Sequence, residues 1–333
     1  MMRLLRLGLA LAAAALVLTA AGAVRWALSP RDPGAAEQLF EVSPGESLAS
    51  IARRLEQAGL VRRAWVVEGV ARHRELAARL QVGEYRLSPA WPPVKILEQI
   101  ASGRVVTHEV SFPEGFTAAQ IADRLAAEGL VDREAFLAVV RDPAAPRELG
   151  VEGDTLEGYL FPETYRFPRG LAPVEVARAM VDQFRRVWQQ VEPHARQRGL
   201  AMREVVTLAS IIEKETGAAD ERPLIASVFL NRIRQGMRLE TDPAVIYGIR
   251  DFDGNLRRRD LEDEANPYNT YRIAGLPPGP IASPGAAALR AVVEPAQTQY
   301  LYFVSRNNGS HSFSKTYDEH LAAVNRYQRS GGS

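Results

Sequence analysis

The sequence predicts an α+β chain: an N-terminal transmembrane helix, a duplicated small strand-helix-helix-strand-helix module, and a mostly helical C-terminal domain with a β-hairpin. Three observations predict it. An uncharged apolar run stands near the N-terminus, one stretch of text returns seventy residues further on, and the remainder alternates helix-period apolar stripes with loops rich in Pro and Gly. The 333 residues suffice for two or three domains with a sizeable core. The expected divisions are 1–28 for a cytoplasmic tip and anchor, 29–39 for a linker, 40–105 for the first module, 106–190 for the second, and 191–330 for the C-terminal domain.

Arg3 and Arg6 precede the apolar run, residues 7–24, and Arg25, Trp26 and the stretch 29–34 read as an interface and a linker. A retained anchor is the expectation, because both basic residues lie before the run and an aromatic follows it. A cleaved signal peptide is the alternative, since residues 19–23 are small. In both readings the rest of the chain is exported.

From Phe40 the text reads as a strand, then a turn and cap at residues 43–47, then a helix with Leu48, Ile51, Ala52 and Leu55 on one face that stops at Gly59. Gly45, Ser47, Ile51, Ala52, Leu55, Gly59, Leu60, Val61 and Arg63 return in one register as Gly115, Thr117, Ile121, Ala122, Leu125, Gly129, Leu130, Val131 and Arg133. With a slightly longer spacer, Tyr85-Arg86 answers Tyr165-Arg166, and Pro93-Val94 opens a helix as Pro173-Val174 does. The opening Pro44-Gly45-Glu46-Ser47-Leu48, followed by Ile51-Ala52, resembles a LysM-type module, a small fold associated with polysaccharides containing N-acetylglucosamine. A helix cap of the same residue types is the alternative reading.

Residues 156–165, which include Glu157, Tyr159 and Glu163, either line a groove or form a buried strand with polar ends. A helix over 174–191 follows and is expected to end before Pro193. Then comes an apolar helical run, 205–216, that ends in Glu213-Lys214-Glu215-Thr216. At about 100° per residue Glu215 extends the stripe of Leu208, Ile211 and Ile212, while Glu213 points nearly opposite, with Val206, Ala209 and Ser210. A carboxyl held against apolar side chains has the raised pKa that a general acid near neutral pH needs, whereas the plain alternative is a solvated helix end.

The next helix starts at Arg222-Pro223 and carries Asn231 on an apolar stripe, as a satisfied core amide or as a site residue. Thr241-Asp242-Pro243 opens a short helix, with Asp242 read as its cap. Residues 251–264 read as a charged, exposed excursion. A loop fixed by Pro and Gly then presents Tyr268, Asn269, Thr270 and Tyr271, flat surfaces and amide donors of the kind sugar binding requires. Strands at 300–304 and 310–314 around the turn 306–309 make a hairpin, and an amphipathic helix over 317–327 precedes a short Ser/Gly tail.

Composition narrows the function. A net charge of +1 with interspersed signs offers no basic stripe for a phosphate backbone, so no nucleic-acid partner is expected. The absence of cysteine excludes disulfides, thiolate metal sites and a lipid-modified N-terminal cysteine. The five histidines are scattered, and the Gly-x-Ser-x-Gly, phosphate-loop and His-Glu-x-x-His patterns are missing, so no cofactor and no metal are expected. His311, beside Ser312 and Ser314, is a minor candidate for touching substrate.

Six motifs in order resemble the YceG-like family of endolytic murein transglycosylases: residues 209–216, 226–232, 238–248, 268–271, 275–279 with Ile281, and 300–304. The resemblance implies a single-pass inner-membrane protein whose catalytic part faces the periplasm. It implies cleavage within peptidoglycan glycan strands, between N-acetylmuramic acid and N-acetylglucosamine, leaving 1,6-anhydro ends and terminating nascent strands. Glu215-Thr216 fits the acid-bearing pair of lytic transglycosylases, with Glu213 as the alternative. Asn231, Tyr268, Asn269, Thr270, Tyr271, Glu163, Thr241 and Asp242 are the candidates for holding substrate. Partners implied are the glycan strands, the inner membrane and peptidoglycan synthases. A hydrolytic muramidase would need a second carboxylate, for which Glu163, Glu240 and Asp242 are candidates. A non-catalytic peptidoglycan-binding envelope protein is the other alternative.

Overall fold

The computed structural model describes residues 2–329, without the side chains of residues 2–10 and 13, and has an α+β fold. It divides into two compact units: residues 1–108 with 166–170, and residues 109–165 with 171–333.

The first unit begins with helix α1 (Met2–Leu28). Among the described residues no helix is long and apolar enough to cross a membrane, which corrects the expected transmembrane anchor. The part of the run whose side chains are described begins at Leu11, and residues 11–24 rise about 21 Å against a hydrocarbon core of about 30 Å. Arg3, Arg6 and the side chains of residues 7–10 and 13 lie outside the described residues, as does the tail 330–333. The inner-membrane location and periplasmic orientation rested on that anchor and are withdrawn with it.

Strand β1 (Gln38–Val42) leads to helices α2 (Leu48–Gln57) and α3 (Ala64–His73), strand β2 (Gly83–Leu87) and helix α4 (Pro93–Ala101). β1 and β2 pair antiparallel, from Gln38 opposite Leu87 to Val42 opposite Gly83. Ser47 caps α2 by accepting from Ser50 N, and Gly59, at φ +74°, turns the chain out of the helix. Phe40, Ile51, Leu55, Tyr85 and Ile96 meet in one core, and the Tyr85 hydroxyl donates to Gln81 O at 2.8 Å.

Next along the chain come strand β3 (His108–Ser111), helices α5 (Ala118–Ala127), α6 (Arg133–Arg141) and α7 (Ala145–Leu149), and strand β4 (Thr164–Phe167), which pairs with β3. Thr117 and Gln120 form a reciprocal capping box at the start of α5. Leu156, Tyr159, Leu160 and Phe161 are buried ahead of β4, and Glu163 is exposed. Helix α8 (Pro173–Arg198) runs through Pro193 rather than stopping at Val191. Pro193 is exposed while Val191 and Ala195 are buried, so the missing backbone bond faces solvent and core packing carries the helix past it.

Helices α9 (Met202–Glu215), α10 (Arg222–Arg234), α11 (Asp242–Gly248), α12 (Arg258–Glu262) and α13 (Ala286–Val293) follow, then strands β5 (Tyr302–Ser305) and β6 (His311–Ser314) and helix α14 (Tyr317–Val324). Every side chain from Val205 to Ile212 is buried, so α9 is a central helix with no solvated face, and α13 packs against both it and α10. Gly158 lets the loop before α13 approach α9. A Cβ there would stand 2.4 Å from Pro280 Cβ, and the residue's φ is +85°. Ser210 fixes the same loop by accepting from Ile281 N at 3.0 Å. β5 and β6 pair antiparallel, from Tyr302 opposite Ser314 to Ser305 opposite His311.

Candidate active site

Two acids end α9, and the structure separates them. Glu213 is a tied group: its side chain is 4% exposed, Arg222 meets its Oε1 at 2.9 Å, and Gly285 N donates to its Oε2 at 2.9 Å. Both oxygens are engaged in holding α9 to α10 and to the start of α13. Glu215 instead opens onto a cleft of about 530 Å³ formed by α9, α10, the start of α11, the hairpin and α14.

Burial pushes the Glu215 carboxyl up to about 7. The Thr241 hydroxyl, donating to Oε1 at 2.5 Å, opposes this, the Asp242 charge adds to it, and His311 opposes it again. Desolvation wins, so a sizeable fraction of Glu215 is protonated near neutral pH.

Thr241 and Asp242 open α11, but neither side chain caps it; each is turned to other work. Thr241 is buried and donates to Glu215, while Asp242 Oδ1 accepts from the Tyr271 hydroxyl at 2.7 Å. The cap expected at Asp242 is thus replaced by a contact on the cleft wall. Thr270 sets the position of Thr241: its Oγ1 accepts from Thr241 N at 3.0 Å and donates to Thr241 O at 3.1 Å. Glu240, just before, has φ +54°, a left-handed backbone that costs about 1 kcal/mol or more for a residue with a side chain. Its N–H donates to Thr270 O at 3.2 Å and its carboxylate meets Arg232 at 3.1 Å, which keep it there.

Of the residues picked from sequence, Glu215, Glu240, Asp242, Tyr271 and His311 line the cleft, and Thr241 touches Glu215. Others do not line it. Asn231 is a satisfied amide that donates to Thr298 O at 3.1 Å and Tyr300 O at 3.0 Å. Asn269 is fully buried and donates to three carbonyls, of Asp260, Leu261 and Asp263, folding the charged excursion back on the loop. Tyr268 packs edge-on against Tyr247, with ring centroids 4.8 Å apart. Glu163 is exposed beside β4, its Oε1 accepting from Thr164 N.

Sequence reasoning named His311 but missed its neighbours in the cleft, Arg232 and His320. Arg232, on α10, has a nearly buried side chain that donates to Leu301 O at 2.7 Å and Leu239 O at 2.9 Å and lies 5.1 Å above the Tyr302 ring. His320, from α14, stacks on Tyr302, and burial and Arg232 hold its imidazole below its ordinary value. His311, from β6, completes the group. An arginine and two histidines carried on three separate elements leave no local spacing to read; the signals were Arg232 next to Asn231 in an apolar helix and His311 beside Ser312 and Ser314. Among the described residues no cluster of His, Cys, Asp and Glu could hold a metal ion.

A sequence profile of the YceG-like family matches residues 40–326. The chain belongs to the YceG-like family. An endolytic murein transglycosylase of Bacillus subtilis is 31% identical over 304 residues, covering 86% of this chain and 84% of its own length. One of Streptococcus pneumoniae is 28% identical over 294 residues, 79% of this chain and 53% of its own. The crystal structure of a YceG-like protein of Listeria monocytogenes, 30% identical, matches with a TM-score of 0.59 over 86% of this chain and 98% of that one. The profile of this YceG-like chain takes in every residue of the Glu215 cleft named above.

Proposed function

We propose that this YceG-like protein is an endolytic murein transglycosylase that cleaves peptidoglycan glycan strands with Glu215 as its acid. The observation that carries the assignment of the acid is the desolvated Glu215 carboxyl at a polar cleft, with a pKa near 7 and its sister acid Glu213 locked in an ion pair. The names of the relatives support the activity.

The chemistry follows from one carboxyl. Protonated Glu215 donates to the glycosidic oxygen while positive charge grows at C1 of the muramic residue. As a carboxylate it then takes the proton of that sugar's C6 hydroxyl, whose oxygen attacks C1 and closes a 1,6-anhydro ring, returning Glu215 to its acid form. No water is consumed. Thr241 orients the carboxyl, and Tyr271 with Asp242 forms the wall against which the sugar lies. In this reading the substrate is the glycan strand that a synthase extends, cut between N-acetylmuramic acid and N-acetylglucosamine.

A hydrolytic reading has one specific support, because Asp242 and Glu240 line the same cleft. Each is already held by a donor, Asp242 by Tyr271 and Glu240 by Arg232, which disfavours either as a base for water. Digesting purified glycan strands and weighing the fragments decides between them. Transglycosylation leaves ends of the anhydro mass, and fragments heavier by one water would make the protein a muramidase.

A further inference from the structure

His311 reaches the cleft from the edge of the hairpin, and its anchoring is unusual for a strand-end histidine. Its Nδ1 lies 2.6 Å from Glu221 Oε2, and its backbone N–H donates to Glu221 Oε1 at 2.7 Å. One carboxylate thus grips both the ring and the main chain. The two side chains are 13% and 9% exposed. Phe303 stands edge-on to the imidazole, with centroids 5.4 Å apart, so the ring plane is set by packing as well. Burial alone would raise Glu221, but the bonds from His311 outweigh it and hold this carboxyl below its ordinary value, as an acceptor.

An ionised carboxylate on Nδ1 accepts a proton from that nitrogen. Nδ1 therefore carries a proton toward Glu221, and Nε2 is the ring nitrogen left for the cleft. A carboxylate holding one nitrogen of an imidazole that lines a cleft is the arrangement by which proteins aim the other nitrogen at a ligand. A strand-end histidine kept only to tie the hairpin to α10 would need the Glu221 bond and nothing more.

We infer that His311 is a substrate-contacting residue of the cleft whose Nε2 hydrogen-bonds a hydroxyl of the glycan beside the bond being cut, and that Glu221 is the positioning residue that orients its ring. The inference rests on the reading of the cleft as a glycan-cleaving site. Unlike Glu215, His311 does not transfer the proton; it holds the sugar so that the glycosidic oxygen meets the acid, and its loss falls on kcat more than on the fold.

Two isosteric replacements separate contact from structure. In His311→Asn the side-chain amide reaches Glu221 as Nδ1 does, and nothing takes the place of Nε2. In His311→Gln the amide reaches the place of Nε2 and the Glu221 bond is lost. Initial rates of glycan cleavage and thermal melting are measured for the wild type and both variants. The expected result is that His311→Asn melts as the wild type does and loses on the order of tenfold to a hundredfold in kcat, whereas His311→Gln melts earlier and keeps more of its kcat. A His311→Asn protein with wild-type kcat overturns the inference, and so does one whose loss in rate only mirrors its loss of folded protein. A wild type that releases no glycan fragments at all refutes the function itself, not the role of His311.

Discussion

A second buried carboxyl, Glu157, makes the stability of the protein depend on pH in a calculable way. It is 7% exposed, accepts from Ala118 N at 3.0 and 3.2 Å and from the Tyr247 hydroxyl at 3.1 Å, and burial pushes it up from 4.5 to about 7 despite those bonds. Because the folded value lies above the unfolded one, the folded state binds more protons between about 4.5 and 7. Stability is therefore full below the unfolded value and falls as pH rises through the folded one. At about 1.4 kcal/mol per unit, this single group costs about 2.5 kcal/mol between pH 5 and pH 8. Glu157→Gln reproduces the shape and hydrogen bonds of the protonated acid without its titration. The variant should match the wild type in urea at pH 5 and exceed it by about 2.5 kcal/mol at pH 8. Comparing wild type with variant at each pH cancels the contribution of Glu215, which titrates in the same range. A stability difference that stays the same at both pH values would refute the reasoning. The site has a stake in the outcome, since Tyr247 lies on α11, whose first turn carries Asp242.

Among the described residues, Glu213→Ala leaves the nearly buried Arg222 with Glu114, at 3.6 Å, as its remaining acid, and should cost about 3 kcal/mol in urea unfolding. Its folded fraction should still cleave glycan; lost cleavage with unchanged stability would move the acid's role to Glu213. Thr241→Val removes the hydroxyl that favours the charged form of Glu215. Its carboxyl should then stay protonated to higher pH, carrying the alkaline limb of the pH–rate profile upward, and a downward move would contradict the electrostatics given for the cleft.

How much of this was legible in the sequence depended on how local the cause was. Helix starts set by one side chain, such as Ser47 and Thr117, could be read because cap and capped N–H lie three residues apart. The hairpin was legible for a similar reason, its turn residues lying between two short alternating runs. Local rules failed where tertiary packing outweighed them, as at Pro193 inside α8 and along α9, where both faces are buried. The offset between Glu213 and Glu215 follows from helical periodicity, but what each meets does not. Arg222 reaches Glu213 from the next helix, and Gly285 lies 72 residues away. Likewise the loop 268–271 was read as one binding surface, yet its backbone sends only Tyr271 to the cleft and spends Asn269 and Thr270 on holding the chain together.

The central claim is that one carboxyl, Glu215, is both proton donor and proton acceptor in an intramolecular cut. Its most direct test is Glu215→Gln, which keeps the size of the side chain and the acceptor for Thr241 while removing the transferable proton. Purified variant and wild type are incubated with glycan strands and the products weighed. The account predicts that the wild type releases fragments with anhydro ends, and that the variant binds strands with wild-type affinity and releases none at a measurable rate. Anhydro fragments released by Glu215→Gln at a rate near the wild type's would contradict it.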